Sequence, residues 1–205
     1  MIRYAITSRA LHPGDEQKKQ AALLQQAAKW IAEGIDFIQL REKDLPAAVL
    51  AQLARRILKI INLAASPTRL LINSRPDIAL ATRAHGVHLT SGPDELTPAQ
   101  VRSLFADAHH PTPFITTSCR TLPDVQRARQ DQVDAILFSP IFEKPLPDAP
   151  SLPGHGLDQL QAACRAASPV PVYALGGVTL ENSPSCLEAG AAGIAGIRLF
   201  HHPPD

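Results

Sequence analysis

Cationic and amide side chains follow a short apolar segment near the start of the chain. Gln39, Arg41 and Lys43 alternate there with Leu40 and Glu42. Because side chains alternate along extended backbone, the first three fall on one side. Two cations and an amide donor on one side can bind an oxyanion or a phosphate. The alternative is a charged loop whose own side chains pair with one another.

A second candidate anion site lies later in the sequence. Gly176 and Gly177 follow an apolar run and precede a helical pattern, and Gly196 stands two residues before Arg198. Glycine lets backbone N–H groups approach an anion closely, and a helix N-terminus adds a favourable dipole. The pair Gly176-Gly177 alone would equally fit the end of a strand. Together with Gly196 and the cation Arg198, it predicts a phosphate site.

Apolar runs alternate with longer amphipathic segments along the chain. The expected strands are residues 3–7, 37–40, 69–72, 87–89, 114–117, 135–138, 172–175 and 193–196. The expected helices are residues 16–32, 47–64, 76–82, 98–105, 122–130, 157–166 and 180–188. This alternation predicts a minimal α/β (β/α)₈ TIM barrel that lacks its last helix. An open doubly wound sheet is the alternative. In a barrel the chemistry sits at the C-terminal ends of the strands, where both candidate sites fall.

Composition places the chain among ordinary globular domains. It has 205 residues, 45% of them hydrophobic and 19% charged, which favours a single domain over residues 1–205. Lys and Arg total 20 against 19 Asp and Glu, so no basic excess points to nucleic acid. No apolar run is long enough for a membrane helix, and no signal peptide is visible at the N-terminus. Three widely spaced cysteines suit reduced thiols in the cytoplasm.

The missing last helix has a consequence for assembly. Without it, the apolar faces of the last strand and its neighbours would be exposed on a monomer. An exposed apolar patch normally marks a contact surface. We therefore expect a homodimer, with the gap covered by the partner or by the tail at residues 201–205.

Five motifs in register resemble the thiamine-phosphate synthase/TenI family. They read FIQLREKDL from residue 37, LINSRPDIAL from 71, GVHL from 86, FSPIF from 138 and ALGGVT from 174. The resemblance covers nearly the whole chain and implies a (β/α)₈ barrel. It also implies a role in thiamine biosynthesis. Synthases of this family join an aminopyrimidine diphosphate to a thiazole phosphate with Mg²⁺, whereas TenI relatives aromatise a thiazole carboxylate phosphate by moving a proton.

The resemblance also implies roles for individual positions. The positions matching residues that hold the synthase diphosphate are Gln39, Arg41, Lys43 and Asn73. Ser118 matches a polar residue near the pyrimidine. The positions matching the backbone cradle for the thiazole phosphate are Gly176, Gly177, Gly196 and Ile197.

Several positions depart from the family pattern. Ser74 stands where synthases usually carry a metal-binding Asp, and Asp94 is an uncertain match for the second metal carboxylate. A serine is a poor ligand for a hard cation, so we predict no metal site, with Mg²⁺ needed only if the protein is a synthase. Arg120 occupies the place of the TenI catalytic histidine. An arginine cannot shuttle a proton near neutral pH. Another acid, such as Glu143 in the loop of residues 140–153, would then be required.

These observations lead to one main hypothesis and two alternatives. The main hypothesis is a TenI-like thiazole tautomerase that binds a thiazole phosphate, with Arg120, Ser118 and Glu143 as its catalytic candidates. The first alternative is a thiamine-phosphate synthase, which also takes a pyrimidine diphosphate. The second is a non-catalytic paralogue that keeps only the phosphate cradle. A loop as long as residues 140–153 at the active face is often a segment that covers the substrate, which we expect here, and the alternative is a stiff exposed excursion.

Overall fold

The computed structural model describes residues 1–90, 92, 95–146 and 149–201, with backbone alone at 144–146 and 149–152. Eight parallel strands close a barrel in the order β1-β2-β3-β4-β5-β6-β9-β10 and back to β1. The strands are β1 Ile2–Ile6, β2 Phe37–Leu40, β3 Arg69–Asn73, β4 Gly86–Leu89, β5 Phe114–Cys119, β6 Ala135–Phe138, β9 Val172–Leu175 and β10 Gly193–Gly196. The predicted (β/α)₈ barrel is confirmed.

Seven α-helices lie between these strands in the described part of the chain. They are α1 Glu16–Ala32, α2 Ala47–Leu63, α3 Pro76–Thr82, α4 Pro98–Asp107, α5 Leu122–Gln130, α6 Gly156–Ala167 and α7 Ser183–Glu188. Thr97 and Thr121 begin α4 and α5 with capping boxes, in which each threonine hydroxyl accepts from a backbone N–H. Helix α7 begins later than predicted because Thr179 and Asn182 hydrogen-bond each other in a turn.

Alternation along the strands separates two apolar layers. Side chains that point outward pack beneath the helices, as Ile38 and Ile72 do, and both are fully buried. Side chains that point inward fill the barrel, where Phe37 stacks on Phe114 at 4.9 Å between ring centroids. This inner aromatic layer leaves the C-terminal ends of the strands for polar groups.

The segment after β6 differs from the loop that we predicted. Its backbone forms a small antiparallel hairpin of β7 Lys144–Leu146 and β8 Ala149–Leu152. Residues 147 and 148 of the expected covering loop lie outside the described residues. The expectation that this segment covers the substrate stays a prediction.

The expected gap beside the last strand is closed by the chain itself. The backbone after β10 forms a turn, and no helix follows within the residues described, which end at His201. Phe200 is buried at 7% exposure, and its carbonyl oxygen accepts hydrogen bonds from Trp30 and Gln26 of α1. All of β10 is buried. The prediction that one face of this strand is exposed is therefore wrong. The homodimer stays a prediction, but an exposed face of β10 no longer supports it.

Candidate active site

Polar side chains line the inside of the barrel above the aromatic layer. Nε2 of Gln39 donates to Oδ1 of Asn73 at 2.8 Å. Nδ1 and Nε2 of His88 contact the hydroxyls of Thr116 at 2.8 Å and Ser118 at 3.0 Å. Asn73 and His88 are register partners on β3 and β4, and His88 and Thr116 on β4 and β5. The structure thus brings the predicted residues Gln39, Asn73 and Ser118 to one end of the barrel.

His88 is a buried group that the sequence pattern did not single out for this site. Burial lowers the pKa of His88 to about 3, and the cations Arg41 and Lys43 add to the shift. The imidazole is therefore neutral near pH 7, which suits hydrogen bonds to two hydroxyls. His85, by contrast, lies before β4 and accepts a hydrogen bond from the N–H of Leu70 on Nδ1. The two histidines therefore have separate hydrogen-bond partners.

The loop that carries Arg41 and Lys43 is fastened to the end of β1 by Arg9. The Arg9 guanidinium contacts Glu16 at 2.7 Å, Glu42 at 3.1 Å and Asp44 at 2.6 Å. Glu42 is buried and also accepts from the Thr7 hydroxyl at 2.7 Å, which in turn accepts from the N–H of Arg41. Its hydrogen bonds to Arg9 lower the pKa of Asp44 to about 2.

The ion pairs of Arg9 bear on the two interpretations of the loop, as an anion site or as a loop whose own side chains pair with one another. The acidic residues of the loop, Glu42 and Asp44, form ion pairs with Arg9, which lies outside the loop. Among the described residues, Arg41 and Lys43 have no ion pair. The loop therefore does not neutralise itself, and both cations remain available for an anion.

Among the described residues, the corner formed by Ser74 and Thr90 contains one carboxylate, from Glu95. The Ser74 hydroxyl donates to Oε1 of Glu95, and the N–H and hydroxyl of Thr90 donate to the same carboxylate at 2.6 and 2.5 Å. Among the described residues, no group of three His, Cys, Asp or Glu side chains could hold a metal ion. Asp94 lies outside them. A single carboxylate that already accepts three hydrogen bonds fits Mg²⁺ poorly, because a hard dication prefers several charged oxygens.

Gly176 and Gly177 turn the chain sharply after β9, with φ of +91° and +67°. A Cβ on Gly177 would lie 2.7 Å from Cβ of Phe142, so close packing against the segment after β6 also requires glycine here. No described residue accepts from the N–H groups of Gly177 or Ile197. These two donors, at the ends of neighbouring strands, can bind an anion.

The remaining predicted residues lie farther out. Gly196 is buried at the end of β10, and Arg198 is exposed two residues later. Arg120 is exposed after β5, with its backbone N–H bonded to Asp124 at 3.2 Å. Glu143 is exposed before β7. The catalytic roles of Arg120 and Glu143 stay predictions.

Comparison with known proteins identifies the family. A family model described as thiamine monophosphate synthase matches residues 4–200. The chain belongs to the thiamine monophosphate synthase family. It is 39% identical over 175 residues to a putative thiamine-phosphate synthase of Geobacter sulfurreducens, covering 85% of this chain and 78% of that one. It is 33% identical over 184 residues to the thiamine-phosphate synthase of Thermus thermophilus, covering 90% and 84%.

A solved structure supports the fold of this family member. Thiamine phosphate pyrophosphorylase from Pyrococcus furiosus superposes with a TM-score of 0.77 at 23% identity. The match covers 96% of this chain and 85% of that one. In the described part of this synthase-family chain, no helix is long and apolar enough to cross a membrane.

Sequence reasoning missed three of the residues that shape this synthase-family site. Arg9 and Glu95 act through contacts between loops that are distant in sequence, which periodicity cannot detect. His88 was visible, because it stands in a short strand where every second side chain points inward.

Proposed function

We propose that this chain is a thiamine-phosphate synthase, which condenses an aminopyrimidine diphosphate with a thiazole phosphate. The observation that carries the proposal is a pair of anion-binding arrangements at one barrel end. Arg41 and Lys43 follow β2, whereas the free N–H groups of Gly177 and Ile197 follow β9 and β10. Only β1 separates β10 from β2 in the barrel. Two phosphorylated substrates need two such arrangements side by side.

A tautomerase needs a different set of functional groups. Its single phosphorylated substrate requires one anion site and a group that carries a proton near neutral pH. The residue at the family position for that group is Arg120, and an arginine side chain is a poor proton carrier near neutral pH. The inward-facing His88 stays neutral, since its pKa is about 3. The names of the relatives also favour the synthase over the TenI-like tautomerase.

The condensation exchanges one bond for another. A bond forms between the thiazole nitrogen and the pyrimidine methylene carbon, and the bond from that carbon to the diphosphate oxygen breaks. The diphosphate leaves with the electron pair. Arg41 and Lys43 would bind the diphosphate and stabilise the charge that develops on it. Backbone N–H groups at Gly177 and Ile197 would hold the thiazole phosphate beside it.

Mg²⁺ is commonly used in this family, and it would neutralise diphosphate charge when bound. The corner formed by Ser74 and Glu95 provides few ligands for Mg²⁺ among the described residues. We therefore assign most of the charge neutralisation to Arg41 and Lys43. Mg²⁺ is expected to contribute only weakly to binding of the diphosphate substrate.

Product analysis tests the proposal directly. The protein is incubated with aminopyrimidine diphosphate and thiazole phosphate, with and without Mg²⁺, and separately with thiazole carboxylate phosphate alone. Thiamine phosphate and stoichiometric diphosphate in the first mixture support the synthase. An aromatised thiazole in the second mixture, with no condensation in the first, would instead establish the tautomerase. Binding of thiazole phosphate without either product would establish the non-catalytic paralogue.

The thiazole phosphate arrangement needs a test other than glycine replacement. A Cβ on Gly177 would collide with Phe142 whether or not a ligand binds. Backbone amide shifts in NMR avoid this problem. Addition of thiazole phosphate should move the Gly177 and Ile197 amide signals downfield, and shifts confined to other strand ends would contradict the assignment.

A further inference from the structure

A chain of hydrogen bonds runs from Glu95 into the barrel. Ser74 donates its hydroxyl proton to Glu95, and Oγ of Ser74 accepts from Nδ2 of Asn73 at 3.1 Å. Oδ1 of Asn73 accepts from Nε2 of Gln39 at 2.8 Å. Gln39 is 1% exposed, and its Oε1 has no hydrogen-bond partner among the described residues. The chain of bonds thus ends on a buried oxygen inside the barrel.

The direction of every bond in this chain follows from Glu95. An ionised carboxylate only accepts hydrogen bonds, so Ser74 must donate its one proton to it. Ser74 can then only accept from Asn73, which must turn its NH₂ group towards the hydroxyl. Oδ1 of Asn73 consequently faces Gln39, and the Gln39 NH₂ group donates a hydrogen bond to it. The free end of Gln39 is left as a carbonyl oxygen, so in this arrangement Gln39 does not offer an anion the amide donor that the sequence predicts.

We propose that Glu95 is a positioning residue of the substrate site, which acts through Ser74 and Asn73 to fix the orientation of the Gln39 amide. The Thr90 N–H and hydroxyl hold the carboxylate in place for this task. Serine at position 74 is essential to the arrangement, because its hydroxyl donates and accepts at once. A ligand group that meets Gln39 must be a hydrogen-bond donor, since a buried oxygen left unpaired is unfavourable.

Side-chain amide exchange tests the chain of bonds without any ligand. In NMR of the labelled protein, the NH₂ protons of Gln39 should exchange slowly because they are held by Asn73. Glu95→Gln and Ser74→Ala should each speed this exchange about tenfold or more, and the double variant should add little to either. Glu188→Gln on the exposed side of α7 is the matched control and should change nothing.

The two single variants separate positioning from loop support. Ser74→Ala leaves Glu95 bonded to Thr90, so a role confined to the loop around Thr90 predicts unchanged Gln39 exchange in this variant. That result would overturn the proposal. Faster exchange in both variants supports it.

Ligand discrimination provides a second readout, which rests on the proposed function. Calorimetry compares the aminopyrimidine diphosphate with its oxo analogue, in which an acceptor replaces the amino group, and with inorganic diphosphate. Wild type should prefer the amino compound, and Glu95→Gln should reduce that preference about tenfold with little change for inorganic diphosphate. An unchanged preference would contradict the proposal. Absence of condensation in wild type would refute the synthase alone, because the exchange measurement still decides the role of Glu95.

Discussion

The indole N–H of Trp30 donates a hydrogen bond of 2.6 Å to the carbonyl oxygen of Phe200. This bond ties α1 to the turn after β10, and the Phe200 side chain is buried against the core. The turn thereby covers a side of the barrel that an eighth helix would otherwise cover. Phe200 and its turn are therefore part of the folded domain.

Removing the Phe200 ring should destabilise the whole barrel. Phe200→Ala should lower the free energy of unfolding by about 3 kcal/mol, because a buried ring is lost and a cavity remains. Trp30→Phe, which removes the indole donor, should cost about 1 to 2 kcal/mol. Urea denaturation measures both, with the exposed Leu180→Ala as a control near zero. A Phe200→Ala effect below about 1 kcal/mol would show that the turn is dispensable.

The same relationship sharpens the prediction of a homodimer. Light scattering at micromolar concentration measures the oligomeric state of the wild-type protein and of Phe200→Ala. If a dimer forms through a face other than β10, both proteins should give the same dimeric mass. A dimer only in Phe200→Ala would mean that the uncovered strand face causes association, and a monomer in both would refute the homodimer.

Most of the barrel could be predicted from the sequence because its parallel strands are buried on both sides. Such strands are short apolar runs bounded by polar residues, and several of the helices begin at capping threonines or at prolines. The hairpin after β6 could not, because five prolines between residues 140 and 153 hide any strand pattern. Its strands are only three and four residues long.

The predictability of the site follows the same division. Gln39 lies next to the end of one predicted strand and Asn73 directly follows the next, so their meeting at one barrel end follows from the fold. Arg9 pairs with Glu42 and Asp44 across two different loops. Arg9 and Glu42 are 33 residues apart in the sequence. No local pattern indicates such a pair.

Arg9 should matter both for stability and for the diphosphate. Arg9→Met leaves the buried Glu42 without its cation, which should lower the free energy of unfolding by about 3 kcal/mol. Loosening the loop that carries Arg41 and Lys43 should also weaken diphosphate binding roughly tenfold. Denaturation and calorimetry test the two effects. Lys18→Met, which breaks only an exposed pair with Asp15, should change stability by less than about 0.5 kcal/mol. Unchanged diphosphate affinity in Arg9→Met would contradict the loop's assigned role.

His88 should make stability depend on pH below neutrality. Its pKa is lowered from 6.5 to about 3 in the folded protein, so below pH 6.5 the unfolded chain binds a proton that the folded chain does not. Stability should therefore fall as pH drops from 6.5 towards 3, by up to about 1.4 kcal/mol per pH unit from this group. His88→Gln should reduce the slope between pH 6.5 and 4.5. The exposed His109→Gln should leave it unchanged. Equal slopes in wild type and His88→Gln would refute the assignment.

Restoring a carboxylate at position 74 should create a dependence on Mg²⁺. In Ser74→Asp the new carboxylate would lie beside Glu95, where Ser74 now donates a hydrogen bond. Two like charges at this corner repel each other until a divalent cation binds between them. Millimolar Mg²⁺ should therefore raise the midpoint temperature of thermal unfolding of Ser74→Asp by several degrees. The midpoint temperatures of wild type and of the neutral Ser74→Asn should change little. A large Mg²⁺ shift in wild type would show that the native corner already binds the metal, and no shift in Ser74→Asp would show that Glu95 does not face position 74 in solution.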